Sequence, residues 1–133
     1  MTVLLVDVAN TVGSRPDGWW RDRAGATTRL LDRLATLPGR AVTAPDGAPR
    51  QVTGVVAVVE GAARDVPAPD GVTVVRAPGS GDDAVVAAVA DAAGGSVDLL
   101  VVTADRGLRA RLPGIATAGP GWLLARLDDA PGD

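Results

Sequence analysis

The chain contains no cysteine, histidine, tyrosine, phenylalanine or lysine; its 13 basic residues are all arginine, and Glu60 is the one glutamate among 16 acids. Each absence removes a chemistry. Without histidine there is no Ser-His-Asp or Cys-His machinery, and without cysteine no thiolate nucleophile, disulfide framework or cysteine-ligated zinc. Without lysine there is no Schiff base and no Walker-type phosphate lysine. No run approaches the roughly 20 uninterrupted apolar residues that a membrane span needs. The N-terminus MTVLLVDVAN has no basic leader and places Asp7 where a signal peptide stays apolar, so a cytoplasmic protein is expected.

What remains for catalysis is carboxylates, hydroxyls, Asn10, arginines, backbone amides and any metal the carboxylates can hold. That inventory favours hard-cation chemistry. At 133 residues, 47% of them apolar, the chain suits one domain, expected over residues 1–128 with a frayed tail at 129–133. The net charge of −3 argues against a broadly basic nucleic-acid binder but leaves room for a local arginine stripe.

Five β-branched runs read as strands: Thr2 to Val6, Gly54 to Val59, Val72 to Val75, Val97 to Val102 and Ile115 to Thr117. Most are nearly continuous apolar runs, as expected of strands covered on both faces. Helical spacing links Trp20, Ala24, Thr27, Leu31 and Leu34, then Asp82, Val85, Val86, Val89 and Ala93, then Trp122, Leu123, Leu124 and Leu127. A short helix is expected to begin near Asp105. Pro38 and Gly39 stop the first helix, and Thr43 to Gln51, rich in Pro, Gly and Asp, reads as a surface loop. The alternation predicts a three-layer αβα domain of the α/β class with a mainly parallel five-stranded sheet.

In an open parallel sheet, ligands bind beyond the carboxyl ends of the strands. Asp7 follows the first predicted strand, Glu60 the second, Asp82 and Asp83 the third, and Asp105 the fourth. Asp82 and Asp105 also sit where ordinary helix caps would. Asp7 ends an apolar run, where an unpaired carboxylate incurs a desolvation cost. Acids converging without lysine or histidine repel one another, and a divalent cation such as Mg²⁺ or Mn²⁺ is the usual resolution.

Two other readings of these strings fail. Gly79 to Ala84 formally satisfies GxGxxG/A, but Asp82 and Asp83 would face a pyrophosphate with like charge, on the third strand rather than the first. Asp7 to Thr11 has the outline of the haloacid-dehalogenase loop, yet Ala9 replaces its second aspartate and the required lysine is absent.

Four segments carry a positive resemblance: LLVDVAN, DDAVVAAVADA, VVTADRGLRARL and a closing strand and helix. Together they resemble the PIN-like nuclease superfamily, and within it the NYN branch that includes the bacterial YacP-like proteins. The resemblance implies strand order 3-2-1-4-5 and a metal-dependent ribonuclease. It matches Asp7, Asp83 and Asp105 to the family's catalytic acids, with Asp82 an adjacent metal ligand. Asn10 matches the asparagine of D-x-x-N, Thr103 supports Asp105, and Glu60 loosely replaces an acid found elsewhere in the family. Gly107 departs from the pattern, standing where many members carry another acid.

On this reading Mg²⁺ or Mn²⁺ activates a water against an RNA phosphodiester, with no side-chain base required. Arg15, Trp19, Arg21, Arg23 and Arg106 are the candidate substrate contacts, since arginines pair phosphates and a tryptophan can stack a base. Trp20 and Trp122 fall on apolar helix stripes and are expected in the core. The partner implied is RNA; homodimerisation is common among PIN-like domains, and a protein partner is the other expectation. Two alternatives stay open: a non-catalytic PIN-like binding module, and a metal-dependent hydrolase of small phosphate esters or nucleotides.

Overall fold

The residues Thr2–Asp7 form a strand because TVLLVD is an almost unbroken apolar run that can be covered on both faces. In the computed structural model, which describes residues 1–92 and 98–129, the elements follow a mixed α/β order. They are β1 (Thr2–Asp7), α1 (Val8–Gly13), α2 (Arg23–Leu34), β2 (Ala41–Thr43), β3 (Pro49–Val59), β4 (Val72–Arg76), α3 (Gly81–Ala92), β5 (Asp98–Val102), α4 (Arg106–Ala110), β6 (Ala116–Ala118) and α5 (Pro120–Asp128). Single 3-10 turns lie at Trp19–Arg21 and Gly61–Ala63. The expectations for Val97, for Ala93 and for the tail at 130–133 fall outside the described residues.

β1 is central, paired in parallel with β3 on one side and β5 on the other; β6 extends the sheet beyond β5. The second half of β3 pairs in parallel with β4, while its first half pairs antiparallel with β2. The five parallel strands run β4-β3-β1-β5-β6, which is 3-2-1-4-5 when only the five predicted runs are numbered. The sheet is nevertheless mixed and six-stranded, which corrects the five-stranded expectation. The surplus strand comes from the segment read as a loop. Pro49, Arg50 and Gln51 have no alternating apolar pattern, yet they close a hairpin on Ala41, Val42 and Thr43, turned at Gly47 with φ +86°.

Alternate side chains of β1 point to opposite faces. Leu4 and Val6 pack with Leu31 and Leu34 of α2 and Leu123 of α5. Leu5 packs with Val85 and Val89 of α3 and Leu108 of α4. Helices thus cover both faces, and truncating one such fully buried leucine to alanine costs about 2–5 kcal/mol. No helix among the described residues is long and apolar enough to cross a membrane.

α2 begins at Arg23, where Asp22 accepts the Gly25 N–H at 2.9 Å. This start corrects the placement of Trp20. Extending the helical stripe to that residue goes one turn too far, because a cap three residues before Gly25 ends the period there. Trp20 instead lies in the 3-10 turn after Gly18 and is 56% exposed. Trp122 is half-buried against the core, its indole N–H donating to the Thr43 carbonyl at 2.9 Å.

Candidate active site

Asp7 is both the last residue of β1 and the N-cap of α1, so its side chain is delivered to the carboxyl edge of the sheet by the strand and oriented by the helix. It is only 5% exposed. One carboxylate oxygen accepts the Asn10 N–H at 3.4 Å, the other the Thr103 hydroxyl at 2.9 Å. Among the described residues no arginine pairs with it. Burial raises its pKa above the ordinary aspartate value; the two hydrogen bonds oppose that shift, and the charges of Asp82 and Glu60 reinforce it.

Thr103, fully buried at the end of β5, is the hub of the site. Its hydroxyl donates to Asp7 and accepts the Asp105 N–H at 3.1 Å. Its carbonyl takes two bonds from the Arg109 guanidinium, at 2.8 and 2.6 Å. Asp105 caps α4 through the Leu108 N–H at 3.0 Å. Asn10 ties the two turns together, its side-chain oxygen accepting the Ala104 N–H at 2.8 Å. The D-x-x-N and T-x-D-R segments, far apart in sequence, are therefore one hydrogen-bonded unit.

α3 presents its two aspartates differently. Asp82 is half-buried, and its pKa is raised by desolvation and by the charges of Asp105 and Glu60, with Arg111 opposing. Asp83 is exposed and paired to Arg111 at 2.9 Å. The acid that shares the field of Asp7 and Asp105 is thus Asp82, whereas Asp83, the residue matched by motif, points to an arginine on the neighbouring helix end. Residues 82, 85, 86 and 89 share one helical face and 83, 87 and 90 another, so the period of α3 already carried this distinction.

Glu60 serves α3 as a cap from outside the helix, accepting the Gly81 N–H. Its carboxylate lies where a Cβ on residue 81 would stand, at 2.7 Å, so a side chain there would expel it. Sequence reasoning missed this role, as it did the bracing by Arg109. Gly107 borders the site as well: a Cβ there would meet an Asp105 carboxylate oxygen at 3.3 Å. An acid at that position would start against Asp105 itself.

The donor set of Asp7, Asp82, Asp105 and Glu60 is all oxygen, which fits a hard divalent cation. No three acids among the described residues stand close enough to hold one ion as they are oriented. Mg²⁺ usually keeps several waters and takes one or two carboxylates plus substrate phosphate.

The expected substrate residues divide into two groups. Trp19 and Arg23 line a cleft of about 160 Å³ with Val8, Ala9 and Glu60. The Arg23 guanidinium lies 5.1 Å from the Trp19 ring centre and that of Arg21 lies 5.9 Å from Trp20, while the two indoles meet edge to face at 6.1 Å. Arg106 is exposed at the start of α4. Arg15 lies elsewhere, lining a separate cleft beside α2 and α5.

No family model matches the chain, and no curated protein matches it in sequence. In three dimensions it is similar to the crystal structure of a mutant form of Rae1 (YacP) from Bacillus subtilis, with a TM-score of 0.68 at 17% identity, covering 96% of this chain and 75% of that one. The likeness is one of fold, and the fold is YacP-like, as the motifs implied.

Proposed function

We propose that the chain is a metal-dependent ribonuclease of the PIN-like, NYN type, hydrolysing RNA phosphodiesters at the carboxyl edge of its sheet. One observation carries the reading: at that edge Asp82 lies within range of the charges of Asp105 and Glu60, Asp7 within range of those of Asp82 and Glu60, and Asp7 is buried without a cationic partner among the described residues. The YacP-like fold and the motifs that resemble that branch support it.

With their side chains turned toward a shared ion, Asp7, Asp82 and Asp105 would hold Mg²⁺ or Mn²⁺, which when bound supplies a water of lowered pKa and neutralises charge on the leaving oxygen. The chain's own residues do the positioning. Thr103 and the Asn10 N–H fix the two oxygens of Asp7, and Arg109 fixes Thr103. Glu60 anchors the helix that carries Asp82. Trp19 offers a stacking face in the cleft it shares with Val8, Ala9 and Glu60, and Arg21, Arg23 and Arg106 offer phosphate partners. Asp83 is assigned to the surface pair with Arg111. A cytoplasmic setting and association with RNA belong to the same proposal.

A second reading, a PIN-like binding module without catalysis, draws on the lack of a three-acid group among the described residues. Labelled single-stranded RNA and free nucleotides, each incubated with the protein and Mn²⁺, separate the two. The wild type cuts RNA, and Asp7→Asn, Asp82→Asn and Asp105→Asn reduce cutting to background. RNA cleavage that survives in all three variants, or that no divalent metal elicits, sinks the nuclease reading. Hydrolysis of nucleotides alone transfers the site to small phosphate esters.

A further inference from the structure

A second cleft, about 230 Å³, is lined by Arg15, Arg29 and Arg33, three guanidiniums in a protein whose net charge is −3. Two carboxylates oppose them. Asp17 also lines the cleft, and Asp128 at the end of α5 bonds Arg33 and stands 3.9 Å from Arg15. Arg29 has no hydrogen-bond or ion-pair partner among the described residues. The Asp128 side chain is 60% exposed and those of its arginines 46% and 41%. Exposed pairs of this kind are worth only about 0–1 kcal/mol, so a stronger anion displaces the carboxylate at little cost.

Apart from Thr11, the remaining walls are apolar. Val12, Leu30 and Leu124 line the same cleft, and Leu30 is buried in the core. An arginine rim over an aliphatic wall suits a ligand with a doubly charged head and a flat apolar body. A phosphomonoester carries about −1.5 to −2 charges at pH 7 and three acceptor oxygens, against one charge for the carboxylate it replaces. Guanidinium forks bind such oxygens in pairs.

We propose that this cleft is a phosphomonoester site, in which the phosphate takes Arg15, Arg29 and Arg33, the base or other apolar body rests on Val12, Leu30 and Leu124, and Asp128 is a built-in competitor. Two sources carry that chemistry: a free mononucleotide and the terminal phosphate of an RNA chain. Val12 lines this cleft and the one that holds Trp19 and Glu60 alike, so α1 separates the two clefts.

The test uses the full chain in chelator, where cleavage is silent. Calorimetric titration with adenosine monophosphate gives binding that adenosine lacks. Arg29→Gln weakens it about tenfold. Asp128→Asn, which removes the competitor, tightens it severalfold, and Asp7→Asn leaves it unchanged whether or not the chain is a nuclease. Short RNA with a 5′-phosphate binding better than the same RNA with a 5′-hydroxyl assigns the site to chain ends; binding of the mononucleotide without that preference assigns it to free nucleotides. Absence of mononucleotide binding to both the wild type and Asp128→Asn, or binding indifferent to Arg29→Gln, overturns the proposal.

Discussion

Thr103 donates its hydroxyl to the Asp7 carboxylate at 2.9 Å across 96 residues of sequence, joining the ends of the two adjacent central strands. Replacing it with valine keeps the shape and removes the donor. A buried charged acceptor that loses a partner costs about 1–3 kcal/mol or more. Thr103→Val is therefore expected to destabilise the fold by that amount in urea unfolding at neutral pH, whereas Thr103→Ser retains most of the stability. Equal stabilities for valine and threonine would remove Thr103 from the hub.

The raised pKa of Asp7 has a definite sign in stability. Between the ordinary value of 3.8 and the raised folded value, the native state holds a proton that the unfolded chain has released. Unfolding free energy therefore falls as pH rises through that window and stays lower above it. Asp82 acts in the same direction. Asp7→Asn escapes this penalty, so in chelator at pH 7 its melting temperature lies above wild type, and the gap closes below about pH 4. Added Mg²⁺ raises the wild-type melting temperature and leaves that of Asp7→Asn in place, because only the native carboxylates bind it. A less stable Asp7→Asn protein at pH 7 contradicts the sign.

Gly81→Ala puts a methyl group 2.7 Å from a Glu60 carboxylate oxygen. The glutamate yields by swinging away, and α3 loses its cap. A loss of about 0.5–2 kcal/mol follows, the usual worth of a helix N-terminal cap. Glu60→Ala should destabilise similarly, and the double variant no more than either alone, a non-additivity read from a double-mutant cycle of urea unfolding.

Asp82 and Asp83 are neighbours with opposite expected phenotypes. Asp83→Asn breaks an exposed pair with Arg111 and changes stability by less than about 1 kcal/mol, with RNA cleavage retained. Asp82→Asn retains the fold and abolishes cleavage. Parallel cleavage assays and melting curves distinguish them; the reversed pattern would restore Asp83 as the ligand.

Strands that are apolar on both faces are legible in the sequence, since continuous Val and Leu runs such as Thr2–Val6 and Gly54–Val59 have few other structural outlets. The acids at their ends are legible for the same reason. The hairpin of β2 is not, because its stability comes from pairing with the first half of β3 and from the Gly47 turn, and its residues carry no periodic signal of their own. Trp20 misleads because a 3.6-residue period continues on paper beyond the Asp22 cap that ends it in space. Asp82 is legible from its spacing to Val85 and Val89, and only the motif match favours Asp83. The bonds from Glu60 to Gly81 and from Arg109 to Thr103 leave no local pattern. Glu60 reaches a turn 21 residues away, and Arg109 has the sequence surroundings of any arginine on a short helix.

The link from Asn10 to Ala104, like that from Asp7 to Thr103, joins the first turn of the chain to one made more than 90 residues later. During synthesis β1 emerges with one edge waiting for β5, and Asp7 is made long before Thr103 and Asp105 exist. A growing chain carries its acids dispersed and its first strand half-paired until Asp98–Val102 and the turn after it have been translated. The hydrogen-bonded unit that orients Asp7 therefore closes only after the segment that holds Thr103, Ala104 and Asp105 has been made.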